Sequence, residues 1–179
     1  MKNVLVIKTS PRKGGNSDRL ADEFIKGATE AGNHVEEVSL VGKNIQFCRG
    51  CLTCQKTQRC VIKDDAVAIC EKMLNADVIV WATPVYYYCI SGQMKTMIDR
   101  ANPLYGMDYK FRDIYLLATA AEDEPTTVEG SVKATQGWVD CFAKATLQKV
   151  VFAGGVNDKG DIEGHPSLKE AYELGKRIQ

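Results

Sequence analysis

The chain has 179 residues, 45% of them hydrophobic, which suits one α/β domain with a full core and excludes an intrinsically disordered chain. Lys+Arg and Asp+Glu both number 23, so the chain lacks the basic excess of a nucleic-acid binder. No apolar stretch reaches membrane-spanning length and no targeting segment is visible, so the expectation is a cytoplasmic protein with no membrane and no nucleic-acid partner.

Strands and helices alternate along the chain. Val4 to Ile7 is a short continuous apolar run, as in a strand covered on both faces. The polar loop Thr9 to Ser17 follows. A helix opens near Ser17, with Leu20, Phe24, Ala28 and Ala31 on one face, and Gly32-Asn33 stops it. His34 to Leu40 reads as a second strand. The segment 41–63 has no clear period and reads as a long functional loop. Asp64-Asp65 opens a helix that buries Val67, Cys70, Met73 and Leu74, since acidic residues suit a helix N-terminus.

Asp77 to Ala82 is the third strand, and Thr83 to Tyr88 reads as a loop. A helix from about Gly92 buries Met94, Met97, Ile98 and Ala101. Asp113 to Thr119 is the fourth strand. A long helix after Pro125 carries Val132, Val139 and Phe142. Lys149 to Ala153 is the fifth strand. A last helix from Pro166 to Lys176 turns Leu168, Ala171 and Leu174 inward. Five strands alternating with five helices predict a single domain over 1–179, a parallel sheet between two helical layers. Ligands of such folds sit beyond the carboxyl ends of the strands. The loops 9–17, 83–91 and 119–127 leave those ends.

The first loop combines the hydroxyls of Thr9, Ser10 and Ser17 with Asn16, two glycines and Arg12. Backbone N–H groups at a helix start, with such donors, make an anion site. The plain alternative is a polar loop capped by Asn16 or Ser17. The loop is neither G-x-G-x-x-G nor G-K-[ST], which disfavours a dinucleotide fingerprint and a P-loop NTPase. In the second loop Pro84 stiffens the chain ahead of Tyr86, Tyr87 and Tyr88. Aromatics beside a phosphate site suit a flat heteroaromatic cofactor; core or interface tyrosines are the alternative.

Cys48, Cys51, Cys54 and Cys60 follow C-x₂-C-x₂-C-x₅-C. In a reducing compartment this reads as metal binding or redox chemistry before disulfides. An iron–sulfur centre, Cys₄ zinc and a metal-free set of thiols all stay open. Arg49, Lys56, Arg59 and Lys63 would offset thiolate charge. Cys70, Cys89 and Cys141 read as small apolar residues. His34 and His165 read as surface residues, Trp81 as core, Trp138 on the long helix as an interface candidate, and Lys95 with Asp99 as a helix-surface ion pair.

Ser10-Pro11-Arg12-Lys13-Gly14-Gly15-Asn16-Ser17 resembles the S-P-R-x-x-G-N-[ST] phosphate loop of NADPH-dependent FMN reductases. Ala82 to Tyr87, Ser91 to Lys95 and Asp99-Arg100 resemble that family's second flavin loop and the helix after it. The cysteine run with Asp64-Asp65 resembles the iron-sulfur flavoprotein branch. The resemblance implies a flavodoxin-like three-layer α/β/α sandwich with strand order 2-1-3-4-5. It implies FMN held at the phosphate by Ser10, Arg12, Asn16 and Ser17. Pro84, Val85, Tyr86 and Tyr87 would border the ring, with Thr119 and Ala120 as further neighbours. Cys48, Cys51, Cys54 and Cys60 would ligate a [4Fe-4S] cluster. The implied activity is an oxidoreductase that passes electrons from NAD(P)H or a protein donor through FMN to a quinone, flavin or iron–sulfur acceptor. No catalytic side chain is expected, because the flavin carries the chemistry. A homodimer or homotetramer is implied as well. A non-catalytic FMN electron carrier is the alternative. A phospho-acceptor receiver is disfavoured, because Lys8-Thr9-Ser10 stand where its Mg²⁺ carboxylates belong.

Overall fold

A computed structural model describes residues 1–179. Its strands are β1 (Asn3–Lys8), β2 (His34–Ser39), β3 (Val78–Tyr86), β4 (Cys89–Ile90), β5 (Asp113–Thr119) and β6 (Thr146–Ala153). Its helices are α1 (Asn16–Glu30), α2 (Thr53–Thr57), α3 (Asp65–Asn75), α4 (Gly92–Arg100), α5 (Glu129–Val139) and α6 (Pro166–Lys176). The main sheet runs β2-β1-β3-β5-β6, all parallel. That is the order expected for five strands, with the two-residue β4 added as a hairpin on the end of β3. The order reverses between β1 and β3, so a crevice opens beyond their carboxyl ends.

Both faces of the sheet are covered. Leu20, Phe24 and Ala28 of α1 and Ala171 of α6 pack with Val4, Val6, Val78 and Val80 on one face. Ile69 and Met73 of α3, Met94 and Met97 of α4, and Trp138 pack with Leu5, Ile7, Ile79 and Trp81 on the other. Trp138 is a core residue: it meets Trp81 edge-on at 5.6 Å and stacks with Phe111 at 5.9 Å.

Several local expectations are corrected, and β3 runs on to Tyr86 where a loop was expected from Thr83. The buried face of α3 is Ala66, Ile69, Cys70 and Met73, rotated by one residue from the predicted one, with Val67 and Leu74 half-buried. The buried face of α6 is Ser167, Ala171 and Gly175, with the leucines flanking it. Phe142 lies beyond α5, in a turn. The segment 41–63 contains the short helix α2, bounded by Leu52 and Gln58, both at φ 55°. His165 caps α6 through its Nδ1, which accepts from the Ser167 N–H at 3.2 Å.

Candidate functional site

Ser10, Arg12, Gly15, Asn16, Ser17, Pro84, Val85, Tyr86, Thr119 and Ala120 line one cleft at the switch point, with Ala121, Val156 and Asn157. The floor is a buried hydroxyl network. Thr9 Oγ1 donates to the Ala82 carbonyl at 2.9 Å, and Ser91 Oγ lies 3.1 Å from both Thr9 Oγ1 and the Thr9 carbonyl. The Ser91 N–H donates to Thr83 Oγ1, and Ser91 Oγ accepts from the Met94 N–H. The ends of β1 and β3 are thereby locked to the start of α4.

Above this floor the start of α1 has no side-chain cap. The N–H groups of Asn16, Ser17 and Asp18 find no acceptor in the chain. The Ser17 hydroxyl lines the cleft and makes no hydrogen bond either. Helix N–H groups left in this state, with the positive end of the helix dipole, attract an anion. Ser10 shapes the loop, since its Oγ accepts from the Arg12 N–H at 3.1 Å. Arg12 Nη1 donates to the Asn157 carbonyl at 3.1 Å. The Asn16 side chain is committed elsewhere: it donates to the Asp158 carbonyl and accepts from the Gly160 N–H. Its backbone N–H is what it offers the cleft.

The second loop is a hairpin. Val85 pairs with Ile90 and Tyr86 with Cys89, leaving Tyr87 and Tyr88 as a two-residue turn at φ 48° and 59°. A turn with both central residues left-handed normally takes Asn-Gly. Two tyrosines there store backbone strain, a feature that clusters at ligand sites. Tyr87 is fully exposed. Tyr88 donates its hydroxyl to the Glu122 carboxylate at 3.0 Å, which ties the second loop to the third and pushes the phenol pKa upward. Glu122, Asp123 and Glu124 are exposed and lie outside the cleft lining.

The cysteine segment is held from below by Arg100, which is 1% exposed. Its guanidinium grips Asp64 through two bonds of 2.6 and 2.8 Å and also donates to the carbonyls of Gln46 and Ile62. Nη2 reaches Cys60 Sγ at 3.5 Å, and Asn102 Nδ2 reaches Cys54 Sγ at 3.1 Å. Burial works to raise the Asp64 carboxyl, but the Arg100 guanidinium and the N–H groups of Gln46 and Ala66 outweigh it, and the net shift is downward. The Cys51 thiol is lowered, mainly by the N–H and hydroxyl of Thr53. Burial pushes Cys70 up to about 12, so it stays an inert thiol. All seven cysteines are free.

The structure therefore gathers the residues expected from the loops 9–17, 83–91 and 119–127 around one cleft, except Tyr87, which is fully exposed. It does not gather the four clustered cysteines: Cys48 and Cys51 are exposed, and no three His, Cys, Asp or Glu side chains are placed to hold a metal ion. Val156 and Asn157 were not foreseen. They belong to the loop after β6, a fourth loop leaving the same sheet edge, which Gly154-Gly155 at the strand end signals.

Fold and cleft together define a flavodoxin-like α/β protein with a polar cleft at its switch point. The chain belongs to the NADPH-dependent FMN reductase family, whose model matches residues 2–141. The family is one of flavin-dependent oxidoreductases. The chain is 32% identical over 173 residues to an iron-sulfur flavoprotein of Archaeoglobus fulgidus, covering 94% of this chain and 75% of the relative. It is 36% identical to an iron-sulfur flavoprotein of Methanosarcina thermophila, covering 96% and 91%. It spans about half the length of others, such as MJ1083 of Methanocaldococcus jannaschii, at 39% identity over 101 residues and 52% of that protein. Its fold is similar to that of an NAD(P)H:quinone oxidoreductase from Methanothermobacter marburgensis, at TM-score 0.76 and 17% identity over 99% and 96% of the two chains. It is also similar to a Bacillus anthracis FMN-dependent NADH-azoreductase solved with FMN, at TM-score 0.69 and 17% identity over 99% of each chain. No helix is long and apolar enough to cross a membrane.

Proposed function

We propose that this chain holds FMN with its phosphate in the Thr9–Ser17 loop and passes electrons from NAD(P)H, or from a protein donor, to a small-molecule or iron–sulfur acceptor. The observation that carries the reading is the set of unpartnered N–H groups at Asn16 and Ser17, beside the free Ser17 hydroxyl. These groups, with Arg12 turned from the Asn157 carbonyl, fit a phosphate and need no rearrangement of the sheet. Pro84, Val85 and Tyr86, with Thr119 and Ala120, would border the ring. The floor network of Thr9, Thr83 and Ser91 keeps those loops in register. Bound FMN supplies hydride and single-electron chemistry, so the chain's part is to bind, orient and exclude water.

A [4Fe-4S] cluster on Cys48, Cys51, Cys54 and Cys60 is the second part of the proposal. Its support is chemical: soft thiol donors, N–H groups aimed at two of the sulfurs, and the names of the relatives. Taking up a cluster would require the exposed Cys48 and Cys51 to close on Cys54 and Cys60. A homodimer or homotetramer is proposed on the apolar side chains left exposed on the cysteine segment and hairpin, Phe47, Leu52, Val61 and Tyr87.

Two measurements test this. Arg12→Ala is expected to weaken FMN about 10–100-fold and riboflavin hardly at all, because only FMN carries the phosphate that a charge-assisted bond of this kind rewards. Equal loss of both ligands, followed by flavin fluorescence, contradicts the phosphate site. Protein purified without oxygen is expected to carry iron and sulfide in equal amounts. Its absence after anaerobic reconstitution removes the cluster from the reading. NAD(P)H-dependent acceptor reduction separates the enzyme from a passive carrier.

A further inference from the structure

Asp18 sits on the first turn of α1, directly after the cleft-lining Asn16 and Ser17, and is 6% exposed. Its Oδ2 accepts the Gly14 N–H at 2.8 Å. Gly14 is left-handed, at φ +66°, so this bond fixes the bend of the loop. Its Oδ1 is buried and has no partner. A charged carboxylate oxygen left in that state is costly, and the neutral acid costs far less.

The charges around Asp18 do not neutralise it. Lys8 of β1 is the cation beneath it, but its Nζ is already shared between Asp22 of α1 at 2.5 Å and Glu37 of β2 at 3.0 Å. Arg19 is paired with Glu23 and Glu163. Lys159 lies over Gly14 and donates to the Lys13 carbonyl. Burial raises the Asp18 carboxyl, the Gly14 N–H and Lys8 lower it less, and Asp22 and Glu37 raise it again. A phosphate monoester brings about −1.5 to −2 charges at pH 7 to the same helix turn.

We propose that Asp18 is the positioning residue of the phosphate loop and that seating a phosphate there transfers one proton from solvent to its carboxyl group. The inference rests on the FMN reading of the cleft. Protonation removes the repulsion between carboxylate and phosphate and leaves the second oxygen still accepting from Gly14. FMN affinity is then linked to pH through a group that never touches the ligand. For a full proton the linkage is about tenfold in affinity per pH unit, within the window between the free and loaded values of the carboxyl.

The test is calorimetric titration of FMN into the full-length chain freed of flavin, over about pH 5 to 8, in buffers of differing ionisation enthalpy. Wild type is expected to take up protons on binding FMN and none on binding riboflavin. Asp18→Asn keeps the acceptor for Gly14 and is expected to abolish the difference, with FMN bound tighter at the alkaline end. Asp18→Glu, which keeps a titrating group, is expected to retain the uptake. Identical uptake and pH profiles in wild type and Asp18→Asn overturn the inference while FMN binding itself stands. Failure of wild type to bind FMN at any pH overturns the cofactor reading and the inference with it.

Discussion

Arg100→Met is expected to destabilise the protein by about 3–5 kcal/mol, the usual cost of removing one partner from a buried ion pair. Both side chains are out of solvent, at 1% and 0% exposure. The loss is therefore dominated by what remains: an unpaired Asp64 carboxylate, and the carbonyls of Gln46 and Ile62 without donors. Urea unfolding followed by circular dichroism measures it. The pH dependence has a definite sign. Asp64 is depressed in the folded protein, so its stabilisation is complete above the ordinary carboxylate value of about 3.9 and is lost as pH falls through its lower folded value. In Arg100→Met the carboxyl is no longer held down, and the deficit against wild type narrows in acid. A deficit that stays constant as pH falls below about 4 contradicts this account. Asp64→Leu combined with Arg100→Met recovers part of the loss, because no orphaned charge remains. The cysteine segment is tied at both ends by this one guanidinium. Reactivity of Cys60 toward thiol reagents is expected to rise in the single variant.

The second large effect is Gly27→Ala. Helices α1 and α6 cross backbone to backbone. A Cβ on Gly27 would lie 2.1 Å from the Tyr172 carbonyl oxygen, and one on Gly175 would lie 2.2 Å from that of Phe24. Two opposed terms compete. Alanine gains about 0.8–1 kcal/mol of helix propensity over glycine. Overpacking costs about 1–3 kcal/mol where side chains can shift, and more where the obstacle is backbone. The clash wins, and Gly27→Ala is expected to lower the melting temperature by several degrees, at roughly 2–4 °C per kcal/mol for a chain of this size. Gly137→Ala is the control with the opposite sign. It is an exposed position on α5 with nothing within 4 Å of the new Cβ, so only the propensity gain remains. Equal melting temperatures for Gly27→Ala and wild type would mean that the helices separate at little cost. The crossing matters to the site because it orients α1, whose first turn lines the cleft.

The parallel sheet and the loop Thr9 to Ser17 were legible from the chain because each rests on short-range regularities, whereas the strand order came from the family resemblance. Apolar runs of strand length, helical spacing and glycines in a strand-to-helix turn are local signals, and the parallel topology follows once they alternate. Trp81 in the core and the Lys95–Asp99 pair followed from the same reasoning. The hairpin at Tyr87-Tyr88 was not legible, since tyrosine has no preference for a left-handed turn and only the pairing of Val85 with Ile90 imposes it. Nor was the face of α6: its inward residues are Ser167, Ala171 and Gly175 because α1 comes too close for leucine there.

By itself, the sequence determined a parallel α/β domain with a polar, glycine-containing loop at the end of its first strand and four thiols in one segment. Tertiary structure alone decided how the charged and polar side chains are paired. Arg100 is matched to Asp64 across 36 residues. The Asn16 amide is taken by a loop 142 residues away, and Lys8 is divided between Asp22 and Glu37 while Asp18 beside it keeps an unpaired oxygen. The physical reason is common to all three: desolvation and pairing depend on what the fold brings within a few ångströms, and no local pattern encodes that distance.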